Sequence, residues 1–365
     1  MKTARIRAID WLRGLVMVLM TIDHAGSAWD AHHLHGDRAG VPMSPLPAGE
    51  FLTRWITHVC APAFVLLAGA SLALSSEKRK NQPGQTAFIV KRGLIIAALD
   101  PIWMSLGFAA YHILIFQVLY AIGLSLVVMA FLRRLPSRTL LGLAIAIQLF
   151  GELTSHVHFG WAPLSILWCF LFVGGRPFGG AVVAYPLVPW LAIMMAGWVL
   201  GRYILDTRGQ ELAARARTFA LVGVALLVVF AVVRGLDGYG NWGLYRASLD
   251  PLQWLHVAKY PPSLSYTTLE LGLTFLLLAL FTLADRGERP LLQPLGVLGA
   301  TAFFYYLWHV HLLSLVQLVS HADRNEHGLL KTYVAAALVL VALYPLCTRY
   351  RRYKAAHPDG WTRYI

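Results

Sequence analysis

Residues 9–29, IDWLRGLVMVLMTIDHAGSAW, decide how this chain is read. The stretch is long and apolar enough to cross a bilayer, which takes roughly 20 helical residues. It nevertheless carries Asp10, Arg13, Asp23 and His24. Each ionisable group at membrane depth costs a few kcal/mol on insertion scales, so such groups face a bundle interior and mark a pathway or a site. At about 100° of rotation per residue, Asp10, Arg13, Met17 and His24 share a stripe about 60° wide. Arg13 and His24 therefore lie on one face, roughly 16 Å apart in depth. Polar groups at two depths of one face read as a site approached from both sides of a membrane. The same spacing also fits a plain i,i+3 ion pair between Asp10 and Arg13, with His24 at the interface.

The remainder of the sequence supports a membrane setting. Of 365 residues, 58% are hydrophobic and 13% charged, about half the charged share of soluble domains. The mean hydropathy is +0.59. Apolar spans fall at about 9–28, 51–75, 88–108, 112–132, 139–157, 187–205, 217–234, 266–284, 294–318 and 331–348. The expectation is an all-α polytopic membrane protein with about ten transmembrane helices, or eleven if the short apolar piece 161–173 also crosses. With ten crossings, 23 of the 31 Lys and Arg fall on one side, which the positive-inside rule makes cytoplasmic. Counting 161–173 as a crossing breaks that pattern, so it is expected to be re-entrant or interfacial, as buried non-spanning segments can be. Both termini are then cytoplasmic, and residues 1–365 form one membrane domain. The net charge of +13 follows from topology and anionic lipid, not from a nucleic-acid partner. Cys60, Cys169 and Cys347 sit in apolar stretches at unrelated spacings, with neither a disulfide framework nor a thiolate metal motif. The basic start of the chain reads as a retained first helix rather than a cleaved signal.

Most histidines fall at or near the external ends of these spans, where acid–base chemistry or metal binding is conceivable. The run HHLH, with His32, His33 and His35, is a weak zinc signal because it lacks helical i,i+4 spacing and a fourth ligand; no metal is expected. Arg54 and His58 share one helix face at the outer mouth, where interface anchoring is the plainer explanation. Lys259 and Tyr260 precede Pro261 and Pro262, a normal helix-start signal. They can hold an acceptor or reach for headgroups. In FFYYLWHVHLL (303–313) the aromatics suit packing, but His309 within the apolar zone stands out as functional.

Four segments occur in order: RIRAIDWLRGLVMVLMTIDHAG (5–26), RWITHVCAPAFVLLAGASLAL (54–74), KYPPSLSYTTLELG (259–272) and TAFFYYLWHVHLL (301–313). Together they resemble the bacterial relatives of heparan-alpha-glucosaminide N-acetyltransferase, within the transmembrane acyltransferase superfamily. Arg13 and His24, with ten residues between them, also resemble the arginine-x10-histidine pattern of related membrane O-acyltransferases. The resemblance implies ten helices around a central pore in the bacterial cytoplasmic (inner) membrane. It implies an acyl-coenzyme A co-substrate, most simply acetyl-coenzyme A, bound from the cytoplasm. The acyl group would pass to a sugar amine or hydroxyl of a glycan or glycolipid on the outer face. Arg13, with Asp10 and Arg92 on the same side, would contact the coenzyme, since guanidinium suits phosphate geometry. His24 would act as general base or acyl carrier, with Asp23 and His309 as catalytic partners. Arg54, His58, Lys259, Tyr260, His33 and His35 would meet the acceptor. The eukaryotic acetyltransferase has asparagine near the Asp23–His24 position and its catalytic histidine in the first external loop, which makes His33 and His35 rivals of His24. No stretch resembles the eukaryotic enzyme's large lumenal domain, so heparan sulfate is not implied.

Two other function classes fit the composition. Intramembrane Asp, Arg and His suit a proton-coupled transporter, although no inverted repeat or matched pair of broken helices is visible. A structural envelope protein would use the same groups to hold helices together. The implied partners are the lipid bilayer and the acceptor, and a homo-oligomer is compatible with the sequence.

Overall fold

The computed structural model describes residues 6–30, 33, 37, 39, 47–80, 82–108, 112–320, 328–357, 360 and 362. The opening stretch forms α1 (Arg7–Trp29), followed by a broken pair, α2 (Ala48–Thr57) and α3 (Cys60–Lys78). α4 (Gln85–Leu99) runs through a wide turn at Asp100–Met104 into the single turn α5 (Ser105–Gly107). Strand β1 (Leu114–Phe116) leads into α6 (Val118–Leu132) and α7 (Ser137–Phe150). Next come α8 (Ala162–Trp168), β2 (Ala181–Val183), α9 (Leu187–Asp206) and α10 (Leu212–Leu236). The chain then forms α11 (Pro251–Leu255), α12 (Leu264–Ala284), α13 (Gln293–Ala300), α14 (Ala302–Ser320) and α15 (Leu329–Ala356).

α1 is central. It packs against α3, α12, α13, α14 and α15. Its approach to α13 is close because glycines face each other's main chain. A Cβ at Gly14 would lie 2.0 Å from the Leu295 carbonyl oxygen, and one at Gly299 1.8 Å from that of Asp10. α3 is buried against α9, and α10 lies along α12. The outer helices are apolar on the outside: Leu221, Val224, Val228 and Val232 on α10 are all exposed and recur at helical spacing. An apolar stripe turned away from the core is the inverse of a soluble helix and matches a lipid-facing surface.

Six helical stretches among the described residues are long and apolar enough to cross a membrane: Ala48–Lys78, α9, α10, α12, α14 and α15. The sequence led us to expect about ten, the first at residues 9–28, but α1 with its ionisable groups is not among the six. α4, α6 and α7 have 15, 15 and 14 residues, short of the roughly 20 that a full crossing takes. The expected span 294–318 is divided at Thr301 into α13 and α14. The helix Ala162–Val173 is too short to cross alone.

The expected span 112–132 opens on a strand instead. β1 pairs in parallel with β2, Leu114 with Ala181, Ile115 with Val182 and Phe116 with Val183. Side chains from the end of α4 and from α5 hold the segment out of the helix. Ser105 Oγ accepts from the Ile115 amide at 2.9 Å. Asp100 Oδ2 accepts from the Gln117 and Tyr120 amides at 2.5 and 2.9 Å, satisfying donors that a helix start leaves open. α6 therefore begins only at Val118, and the strand pair is left to wall a cavity.

Candidate active site

The last turns of α1 carry Asp23 and His24 on faces about 100° apart, so the two belong to different networks. Asp23 Oδ1 accepts from Thr57 Oγ1 at 2.6 Å, from His33 Nε2 at 3.1 Å and from the Arg54 guanidinium. Arg54 spans a second carboxylate: its Nε donates to Asp37 Oδ2 at 2.6 Å. His58 Nε2 lies 3.3 Å from Asp37 Oδ1. The main chain then ties in the start of α12. The Lys259 and Tyr260 amides donate to the Asp37 carbonyl at 2.9 and 3.2 Å, and the Ala39 amide donates to the Tyr260 carbonyl at 3.2 Å. A buried charge is tolerable only when paired and hydrogen-bonded; here Arg54, 5% exposed, is flanked by two anions. Burial alone would raise the Asp37 carboxyl, but Arg54 first and His58 second hold it well below the usual carboxylate range.

His24 belongs to the other network. Its Nδ1 lies 2.7 Å from His309 Nε2. The ring centroids are 4.9 Å apart and the planes 15° apart, so the imidazoles meet edge to edge rather than face to face. His309 Nδ1 lies 2.7 Å from the Tyr306 carbonyl oxygen. A carbonyl can only accept, so His309 carries its proton on Nδ1 and its Nε2 is an acceptor. His24 must then donate from Nδ1, which leaves His24 Nε2 with a free lone pair. Phe108 packs edge-on against the His24 ring at a centroid distance of 5.2 Å.

Both networks meet one cavity of about 890 Å³. Asp23, His24, Arg54 and Tyr260 line it, together with Ile115 of β1 and Val182 of β2. Asp23, whose Oδ1 ties the first network together, thus also lines the space that His24 lines. A basic imidazole nitrogen and a carboxylate oxygen on one cavity wall can deprotonate and hold an amine or hydroxyl.

Residues 5–233 match the family described as heparan-alpha-glucosaminide N-acetyltransferase, catalytic. That is more than half of the chain. The protein belongs to this family. No curated protein matches it individually. Family membership and the apolar helices agree on a multi-pass, acetyltransferase-type membrane enzyme.

In this acetyltransferase relative, the expected site residues divide by depth. Asp23, His24, Arg54 and Tyr260 reach the cavity, while His33, His58, Lys259 and His309 are buried and do not line it. His35 lies outside the described residues. Asp10, Arg13 and Arg92 do not line this cavity. Arg13 donates to the Leu67 carbonyl at 3.1 Å and to Ser71 Oγ, and its Nη1 is 3.8 Å from Asp10 Oδ1, as the plain i,i+3 reading allowed. Asp10 lines a second cavity of about 530 Å³ with Arg7, Arg289 and Arg351. Arg92 Nε is buried without a hydrogen-bond partner among the described residues.

Sequence reasoning missed Asp37, Thr57, Tyr306 and the cavity wall from β1 and β2. For Asp37 a signal existed: a chain with only 18 acidic residues places two of them, Asp30 and Asp37, on either side of the HHLH run. For a main-chain carbonyl such as that of Tyr306 there was none.

Proposed function

We propose that this protein transfers an acetyl group from acetyl-coenzyme A, or a close acyl analogue, to a sugar amine or hydroxyl of a glycan or glycolipid at the outer face of the cytoplasmic membrane. The observation that carries this reading is the chain from the Tyr306 carbonyl through His309 to His24, which leaves His24 Nε2 basic at the cavity. His24 takes the proton of the acceptor as its nitrogen or oxygen attacks the thioester carbonyl. The tetrahedral adduct collapses, the C–S bond breaks and the proton passes to the leaving thiolate. His309 Nε2 accepts from His24 Nδ1 throughout and so supports the transient imidazolium. The Asp23 carboxylate holds the acceptor amine. The coenzyme approaches from the end of α1 that bears Asp10 and Arg13, roughly 16 Å from His24, where the second cavity and its arginines favour phosphate. The basic segments, read with both termini in the cytoplasm, support a donor side and an acceptor side on opposite faces of the membrane.

The test is acetyl transfer by purified protein in nanodiscs to methyl β-glucosaminide, read by mass spectrometry, beside acetyl-coenzyme A binding by calorimetry. His24→Asn should lower transfer by about 10²-fold or more and leave coenzyme binding in place. Full activity in that variant removes His24 from the chemistry. Proton-driven solute uptake without coenzyme release would replace this reading with transport.

A further inference from the structure

The loop after α10 is built around one buried cation. Arg234 is 0% exposed. Its guanidinium donates to the carbonyls of Leu244 (2.6 Å), Gln253 (2.6 Å) and Trp254 (3.2 Å) and to Asn241 Oδ1 (3.3 Å). Asn241, equally buried, donates to the carbonyls of Val233 and Gly238 at 3.3 and 3.0 Å. The Gly240 amide donates to Glu152 Oε2 on the neighbouring wall. Charge-assisted bonds to main-chain carbonyls over-determine the backbone between them.

The residue so held is Trp242. Its φ is +52°, in the left-handed region that non-glycine residues rarely adopt. Such conformations persist where the surroundings impose them, and they cluster at binding sites. Trp242 is 8% exposed: its indole packs on Leu244 and Ala258, with Ala39 and Val173 against that group, and the part left open lines the same cavity as His24. The cavity wall around it combines Tyr245 with Glu152 and His156. Aromatic faces beside planar polar groups suit a sugar ring, which has an apolar C–H face and a hydroxyl-bearing edge; an acyl chain would meet carboxylate and imidazole without a use for them.

We propose that Trp242 is the stacking platform for the sugar ring of the acceptor, fixed in place by the Arg234–Asn241 knot. The assignment rests on the acetyl-transfer reading for what happens to the sugar, but not for its binding. The platform lies beyond the residues matched to the family, so it would set this chain's own acceptor preference.

The experiment is saturation-transfer NMR of methyl β-glucosaminide with the full-length protein in nanodiscs, beside acetyl-transfer kinetics. Trp242→Gly removes the ring and tolerates the left-handed backbone; Trp242→Phe keeps a smaller aromatic face. The glycine variant should lose saturation of the ring C–H protons and raise the acceptor KM at least ten-fold, with the KM for acetyl-coenzyme A unmoved. The phenylalanine variant should recover most of both. Unchanged sugar binding in Trp242→Gly, or no sugar binding by the wild type, overturns the platform. Trp242-dependent sugar binding without acetyl transfer supports the platform and overturns the transferase reading alone.

Discussion

The Tyr306 carbonyl decides which nitrogen of His24 is basic. It lies on α14 and reaches His24 by way of His309, which is 285 positions from His24 in sequence, and it acts through a tautomer rather than a charge. In the proposed reaction His309 would be a positioning residue, and its removal should leave a misoriented base rather than none. His309→Ala should lower kcat by about 10²-fold with little change in acceptor KM. His309→Gln, whose Oε1 can accept from His24 Nδ1, should recover part of it in steady-state assays. At the Arg54 network the consequence is stability. Asp37→Asn leaves Arg54 buried with one anion instead of two, and breaking a buried pair costs about 3–5 kcal/mol. The folded Asp37 carboxyl titrates below its unfolded value, which is about 3.9. Its contribution is therefore complete above about pH 4 and is lost as pH falls further towards the folded value. Thermal unfolding followed by intrinsic fluorescence should show a lower Tm for Asp37→Asn at neutral pH. The gap to wild type should narrow on acidification, and a gap that widens would contradict the assignment.

Elements meet here through small residues and side-chain caps. The contact between α1 and α13 leaves no room for a methyl group at Gly299, where a Cβ would sit 1.8 Å from the Asp10 carbonyl oxygen. Gly299→Ala must push the two helices apart, and overpacking of this kind costs about 1–3 kcal/mol. Gly287, with nothing within 4 Å of its Cβ position, serves as the control. A Tm drop confined to Gly299→Ala checks the packing. Helix and strand assignment was only partly legible at this scale. The proline pair before α12 announced its start, and Ser263 Oγ accepts from the Tyr266 amide there at 3.0 Å. β1 and β2 were not legible, because three-residue apolar strands inside apolar runs have no period of their own. The carboxylate of Asp100 and the hydroxyl of Ser105, folded back from the preceding elements, together with the pairing to β2, take the β1 segment out of helix.

For the whole molecule, the basic segments predict a topology that labelling can test. The three native cysteines are buried, so a single introduced thiol reports cleanly. Arg138→Cys, in the first turn of α7 beside the basic connection from α6, should react with an impermeant maleimide only after cells are opened. Ser248→Cys, in the loop after α10, should react on intact cells; the reverse pattern would invert the molecule and place donor and acceptor on the wrong sides. The sequence by itself determined the membrane class and singled out the residue types of a candidate site, because an ionisable group in an apolar span is costly enough to mark itself. It also placed Asp23, His24, Arg54 and Tyr260 as candidates, and all four line one cavity. Only the tertiary structure decided that His24 pairs with His309, that Asp37 completes Arg54 and that Asp10 and Arg13 stand apart from the cavity. Periodicity reports which side of a helix turns inward. Which inward sides then touch is settled by close packing across hundreds of residues, and no local pattern carries that choice.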